Sequence, residues 1–156
     1  MKLDRIDRKI IAALMADATV PLARLADQGG LSQTPCWKRV RKLQDAGVIR
    51  ARVAVVDPEH LGLGLTVFAG ISAPDQGAEW RAQFEGVVTD IPEVMEAYQL
   101  AGSFDFVLRI VVRDMVDFER VRLRITDAVP VRDLTPNFAL KRVKSATVLP
   151  IDTRTA

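Results

Sequence analysis

Apolar positions in the first fifty residues recur at helical spacing in three short blocks. Leu3, Ile6, Ile10 and Leu14 form one stripe, which predicts a helix capped by Asp4 and running to about Ala16. Residues 21–28 (PLARLADQ) read as a shorter amphipathic helix, with Gly29-Gly30 supplying the tight turn after it. A third helix is expected from Ser32, which can accept from a free backbone N–H, with Pro35 in the first turn, where a missing donor is not needed. Its inward face carries Cys36, Val40, Leu43 and Gly47, and its outward face carries Thr34, Trp37, Lys38, Arg41 and Asp45. Two helices joined by a glycine turn make a helix-turn-helix, whose second helix presents its early residues to DNA base edges. On that reading Lys38 and Arg41 carry DNA contacts, and Ser32, Gln33, Thr34 and Trp37 lie near base edges or sugars. A charged outer stripe is also what a merely solvated surface gives, so periodicity alone leaves DNA binding open.

At Val48 the pattern shortens to an alternation rich in β-branched residues, VIRARVAVVD to Asp57, which predicts a strand or small hairpin. A β element there is the wing of a winged helix, with Arg50 and Arg52 on one side to meet phosphates. Residues 58–64 then read as a Pro- and Gly-containing connector. Beyond it the order is strand (Leu65 to Ser72), helix (Trp80, Phe84, Val87, Val88, Ile91), strand (Val94 to Ala101), strand (Phe106 to Val112), helix (Phe118, Val121, Ile125) and strand (Leu134 to Val143). This βαββαβ order is that of a ferredoxin-like sandwich, with both helices on one sheet face. The other face is expected to be apolar and uncovered, and hence to pair two copies about a two-fold axis. The fold class is therefore α+β. Its domains are a winged helix-turn-helix over 1–57, a linker over 58–64, and a ferredoxin-like ligand-binding and dimerisation domain over 65–156.

Composition narrows the chemistry. At 156 residues, 49% hydrophobic and 27% charged, the chain has material for one ordinary or two small domains. One Cys excludes an internal disulfide framework and suits a reducing cytoplasm; with one His it also argues against a structural zinc site, and no cofactor is called for. His60 has no companion for a metal site or a triad and is read as neutral. No apolar run approaches a membrane span, and no export signal opens the chain. Charge is divided: residues 1–57 hold 11 Lys or Arg against 6 Asp or Glu, and residues 58–156 hold 11 against 14. A cationic first half fits a polyanionic partner, double-stranded DNA.

The runs LSQTPCWKRVRKLQDAGVI and LDRIDRKIIAAL, with the turn Gly102-Ser103-Phe104-Asp105-Phe106, resemble the Lrp/AsnC family of transcription regulators. The resemblance implies sheet-to-sheet dimers, assembled further into octamers, and a small amino acid as effector. Carried over by position, it implies effector contacts from Gly102, Asp105, Met115, Asn137, Phe138 and Ala139. Asp105 is the ammonium partner in that set. Read without the resemblance, the segment is a hairpin turn, with Gly102 for a positive φ and Asp105 for a local side-chain cap. TPCWKR, DPEHLGLGLT and NFAL are similar to the family's cysteine-responsive branch, implying L-cysteine against the soft wall of Met115, Phe138 and Ala139. Cys36 faces the core and is not the sensor. Two departures stand out. Gly29 replaces a branched apolar residue, which costs about 1 kcal/mol locally, and Pro136, Asn137 and Phe138 replace a Thr-containing strand. The rival functions are an effector-insensitive architectural DNA-binding protein and an enzyme resembling the sirohaem decarboxylases. The enzyme reading needs histidines where this chain has VMEAYQLA, and Tyr98 there is read as packed. The expectation is a regulator and not an enzyme.

Overall fold

Asp4 opens the first helix with a reciprocal cap: its carboxylate accepts from the Asp7 N–H (2.8 Å), while the Asp7 carboxylate accepts from the Asp4 N–H (3.2 Å). In this computed structural model, which describes residues 1–74 and 77–154, helix α1 spans Arg5–Ala16, α2 Leu22–Gly29 and α3 Gln33–Asp45. They enclose a core of Ile10, Ile11, Leu14, Leu25, Ala26, Cys36, Val40 and Leu43. The turn after α2 belongs to Gly30 alone, at φ 65°, while Gly29 completes the helix. A Cβ on Gly29 would meet Ile6 and Leu31 at an ordinary 3.7 Å, so the missing side chain leaves contact unmade without leaving a strained backbone. Ser32 stands at the N-cap of α3, but its side chain makes no capping bond; its carbonyl accepts from Cys36 instead.

The chain forms two units, Met1–Val55 together with Val143–Ala156, and Val56–Arg142. Chain end and helix-turn-helix are therefore one unit, and Ile151 packs against the three-helix core. The expected wing strand is absent among the described residues. Gly47 (φ 70°) ends α3 and Ile49 packs on the core, but residues 51–57 have no ladder partner, and Val53, Val55 and Val56 stand exposed. Alternation creates strand propensity, but a strand needs a second backbone to bond. The connector forms a 3-10 turn, Pro58–Leu61, capped by Asp57, with His60 exposed upon it.

In the second unit, β1 (Leu65–Ser72), α4 (Ala78–Thr89), β2 (Val94–Gln99), β3 (Phe106–Val112), α5 (Met115–Ala128) and β4 (Asp133–Phe138) form an antiparallel sheet of order β2-β3-β1-β4. Val67, Ala69 and Ile71 of β1 and Phe106, Leu108, Ile110 and Val112 of β3 share a face and pack on Trp80, Phe84, Phe118, Val121 and Ile125. Trp80 stacks on Phe84 at 5.0 Å and donates from Nε1 to the Pro130 carbonyl at 2.6 Å, so its polar edge is satisfied inside the core. β4 ends at Phe138, not Val143. The last ladder pair is Val67 with Phe138, followed by the Ala139 N–H to Thr66, and β1 begins too late to bond anything further.

The open sheet face is mixed, not apolar. Register aligns Glu96, Arg109, Phe68 and Asn137 in one row and Tyr98, Val107, Gly70 and Thr135 in the next. Arg109 donates from Nε and Nη2 to Glu96 at 2.9 and 2.7 Å, and Tyr98 donates to the other Glu96 oxygen at 3.0 Å. Arg109 holds Glu96 below the usual carboxylate range, and the bond to Glu96 raises the Tyr98 phenol. Tyr98 is thus exposed and tethered, not packed, because its register position faces away from the helices. Among the described residues, no helix is long and apolar enough to cross a membrane.

Candidate nucleic-acid interface and effector site

Helix α3 owes its orientation to two kinds of side chain. The apolar set buries Cys36, Val40 and Leu43, which turns Ser32, Gln33, Thr34, Trp37, Lys38 and Arg41 outward, all exposed. Burial pushes the Cys36 thiol up, away from reactivity. Arg39 supplies the second constraint, which the outward-stripe reading missed. Its Nη1 lies 2.6 Å from Asp4 Oδ2 and 2.7 Å from Asp7 Oδ1, which fastens α3 to the capped end of α1. The Asp7 side chain is 8% exposed, so this pair is shielded from water on one side. The Asp7 backbone N–H, followed by Arg39, holds the Asp4 carboxyl below its usual range, and the two aspartates raise Arg39. The sequence signal was an acidic pair at a helix start facing a cation 32 to 35 residues on, but only the helix packing pairs them.

Trp37, 54% exposed, separates two depressions. One, of about 320 Å3, is lined by Val20, Leu22, Leu25, Val40, Gln44 and Arg52; the other, of about 450 Å3, by Met1, Lys38, Arg41, Lys42 and Asp45. Arg52 is thereby brought beside α3 without a wing strand, whereas Arg50 is exposed in the chain leading to it. Arg41 rests 3.4 Å from Asp45 in an exposed pair, the weak kind that a phosphate can replace. The surface offers cations and one aromatic ring, with Gln33 and Thr34 at its leading edge.

The effector residues divide into two groups. Gly102 and Asp105 lie in the turn before β3. The Asp105 N–H donates to Ile71 (2.9 Å), its carbonyl accepts from Leu100 (2.8 Å), and its Oδ2 accepts from the Ala73 N–H (2.8 Å). Asp105 is thus a brace of the turn before it is a ligand group. Phe104 lies against the backbone of Gly70, where a Cβ would fall 2.7 Å from its ring. Gly102 does not have the expected positive φ, and a Cβ on it would meet nothing within 4 Å, because the loop closes through Asp105 and needs no left-handed residue there.

In the second group Met115 follows the other end of β3, while Asn137 and Phe138 lie in the rows of Arg109 and Ile110. Met115, 53% exposed, is the first residue of α5, whose cap Asp114 accepts from the Asp117 N–H at 2.9 Å. Asp117 is flanked by Arg113 and Arg120, and the Arg113 bond holds its carboxyl down. Phe138 sits edge-on to Phe118 at 5.6 Å on the helix side, while Asn137 faces the open side and donates to the Phe68 carbonyl at 3.2 Å. Phe138 and Asn137 therefore do not share a wall, as consecutive strand positions cannot. Counted along β3 at roughly 3.3 Å per residue, the turn is about 20 Å from the end that leads to Met115 and about 10 Å from the row of Arg109 and Asn137.

Residues 66–149 match the family model described as Lrp/AsnC ligand binding domain, and residues 3–44 the one described as AsnC-type helix-turn-helix domain. The DNA-binding transcriptional activator DecR of Escherichia coli is 42% identical, over 96% of this chain and 99% of that protein. Among solved structures, an AsnC family transcriptional regulator from Agrobacterium tumefaciens superposes with TM-score 0.89 at 40% identity, covering 95% of this chain and 97% of the other. A transcriptional regulator of Neisseria meningitidis in complex with L-Met gives 0.86 at 32% identity, covering 96% and 97%. These relatives are transcription regulators, not enzymes.

Proposed function

This chain belongs to the Lrp/AsnC family of DNA-binding, amino-acid-responsive transcription regulators, and from that premise we propose which of its surfaces perform the two tasks. DNA is met by the outward face of α3, through Ser32, Gln33, Thr34, Trp37, Lys38 and Arg41, with Arg50 and Arg52 on adjacent phosphates. The observation that supports this is their common exposure around Trp37, while Arg39, between Lys38 and Val40, is withdrawn into the α1 pair. Such a regulator acts where the chromosome is, in the cytoplasm. The double variant Lys38→Ala, Arg41→Ala is expected to weaken operator binding by roughly 1–3 kcal/mol per base contact, or to flatten the salt dependence where phosphates are met. Unchanged affinity and salt dependence would overturn this assignment.

The effector site is composite. Gly102 and Asp105 of one copy face Met115, Asn137 and Ala139 of another, in an assembly of dimers that reaches an octamer. What supports this reading is that the turn precedes β3 and Met115 follows its other end. The effector is a small α-amino acid, L-cysteine by the resemblance of TPCWKR, DPEHLGLGLT and NFAL. Asp105 offers its charge to the ammonium while one of its oxygens keeps the turn closed. Calorimetry with L-cysteine, L-serine, L-methionine and L-leucine tests it on the wild type and on Asp105→Asn, which retains an acceptor for the Ala73 N–H. Cysteine is expected to bind best and to weaken in Asp105→Asn. Preference for leucine or methionine overturns the effector, and undiminished binding in the variant overturns the role of Asp105.

A further inference from the structure

Beyond Ala139 the chain carries three cations in four residues, Lys141, Arg142 and Lys144, and no acidic residue occurs between Asp133 and Asp152. All three are exposed, in a stretch without secondary structure, and none is in an ion pair among the described residues. Their neighbours Leu140 and Val143 are 99% and 90% exposed, so the run packs on nothing in its own chain. Ile151 then returns the chain to the helix-turn-helix core, and Val143 onward belongs to that unit.

Grouped by the folded units, the charge is sharper than a cut at residue 57 suggests. The helix-turn-helix unit has 13 Lys or Arg against 6 Asp or Glu, net +7, and the sheet unit has 9 against 14, net −5. Lys144 belongs to the basic unit, and Lys141 and Arg142 are the last residues of the sheet unit just before it. Exposed cations in no ion pair, on the segment that enters a strongly basic unit, have one abundant complementary partner, the phosphate backbone. We propose that Lys141, Arg142 and Lys144 form a second, sequence-independent phosphate-binding strip, separate from the recognition helix. The strip adds affinity and salt dependence without reading bases. Because it joins the helix-turn-helix unit through the same chain that leaves β4, its contacts are made by a segment whose upstream end is fixed in the sheet by the Ala139 N–H.

The test uses the full chain with Lys141, Arg142 and Lys144 all changed to Ala, on a mixed-sequence duplex and on one selected by the wild type from a random pool. At a slope of about 0.9 per phosphate, three contacts make the wild type lose roughly 40-fold more affinity than the variant over a fourfold rise in salt, equally on both duplexes. Replacing Arg142 by Lys is expected to leave the slope unchanged, since a phosphate contact of this kind needs charge and not a fork. An unaltered slope in the triple variant overturns the proposal, as does a loss confined to the selected duplex. Sedimentation separates one further outcome. A flatter slope accompanied by dissociation of the oligomer also overturns it, because the strip would then be holding the acidic sheet unit of a second copy.

Discussion

Gly70 lies in the middle of β1, where a glycine weakens a strand unless something approaches its backbone closely. Here the Phe104 ring does so, 2.7 Å from where a Cβ would stand, and it cannot retreat because Asp105, the next residue, is bonded to Ile71 and Ala73. Gly70→Ala is therefore expected to destabilise the sheet unit by about 1–3 kcal/mol through overpacking, measured by denaturant unfolding. Adding Phe104→Ala should recover part of that loss; a purely additive double variant would mean that the ring is not what the new methyl meets. The GSFDF motif was legible in the sequence as a turn, with Asp105 as its candidate ligand group. That the Asp is a brace, and that Gly70 is its counterpart on another strand, depended on a register between residues about thirty positions apart.

Between elements, the fastening of α3 to α1 has a pH dependence of known sign. Asp4 is held below its ordinary value of 3.8 by the Asp7 N–H and Arg39. A carboxylate depressed in the fold contributes stability that is present above the unfolded value and lost as the pH falls through the folded one. Arg39→Ala is expected to cost about 1–2 kcal/mol near neutrality, discounted for the half-exposed Asp4. The gap between wild type and variant should narrow as the pH drops below 3.8, followed as melting temperature against pH. A gap constant across that range would show that the loss is packing of the Arg39 stem and not charge. The same scale explains two differences from the sequence pattern. Residues 51–57 and 139–143 alternate as strands do, yet among the described residues neither segment enters a ladder.

At the scale of the molecule, a composite effector site makes a prediction that no single-chain site shares. Gly102→Trp blocks the turn end in open space, and Met115→Asp charges the α5 end; neither touches a core position. Each variant alone is expected to lose effector binding. Mixed oligomers should regain about one quarter of the sites by random assortment, since a site drawn from two copies can take both intact halves. Calorimetry on the mixture that shows no recovered sites would place both halves in one chain and overturn the composite reading.

The sequence by itself determined what depends on local pattern and composition. Periodicity located the five α-helices among the described residues, apolar runs located the four sheet strands, and the runs around Pro35 and Asp105 carried the resemblance to the family. Only tertiary structure decided what depends on pairing across the chain. It withdrew Arg39 from the exposed face of α3 by setting Asp4 and Asp7 against it, gave Gly70 its reason, and made the open sheet face mixed through Glu96 and Arg109. It also returned Ile151 to the helical core and put Asp105 and Met115 at opposite ends of β3. The physical reason is range. A cap or an amphipathic stripe is specified within one or two turns of chain, whereas an ion pair, a close backbone approach or a shared wall exists only once distant segments have been packed together.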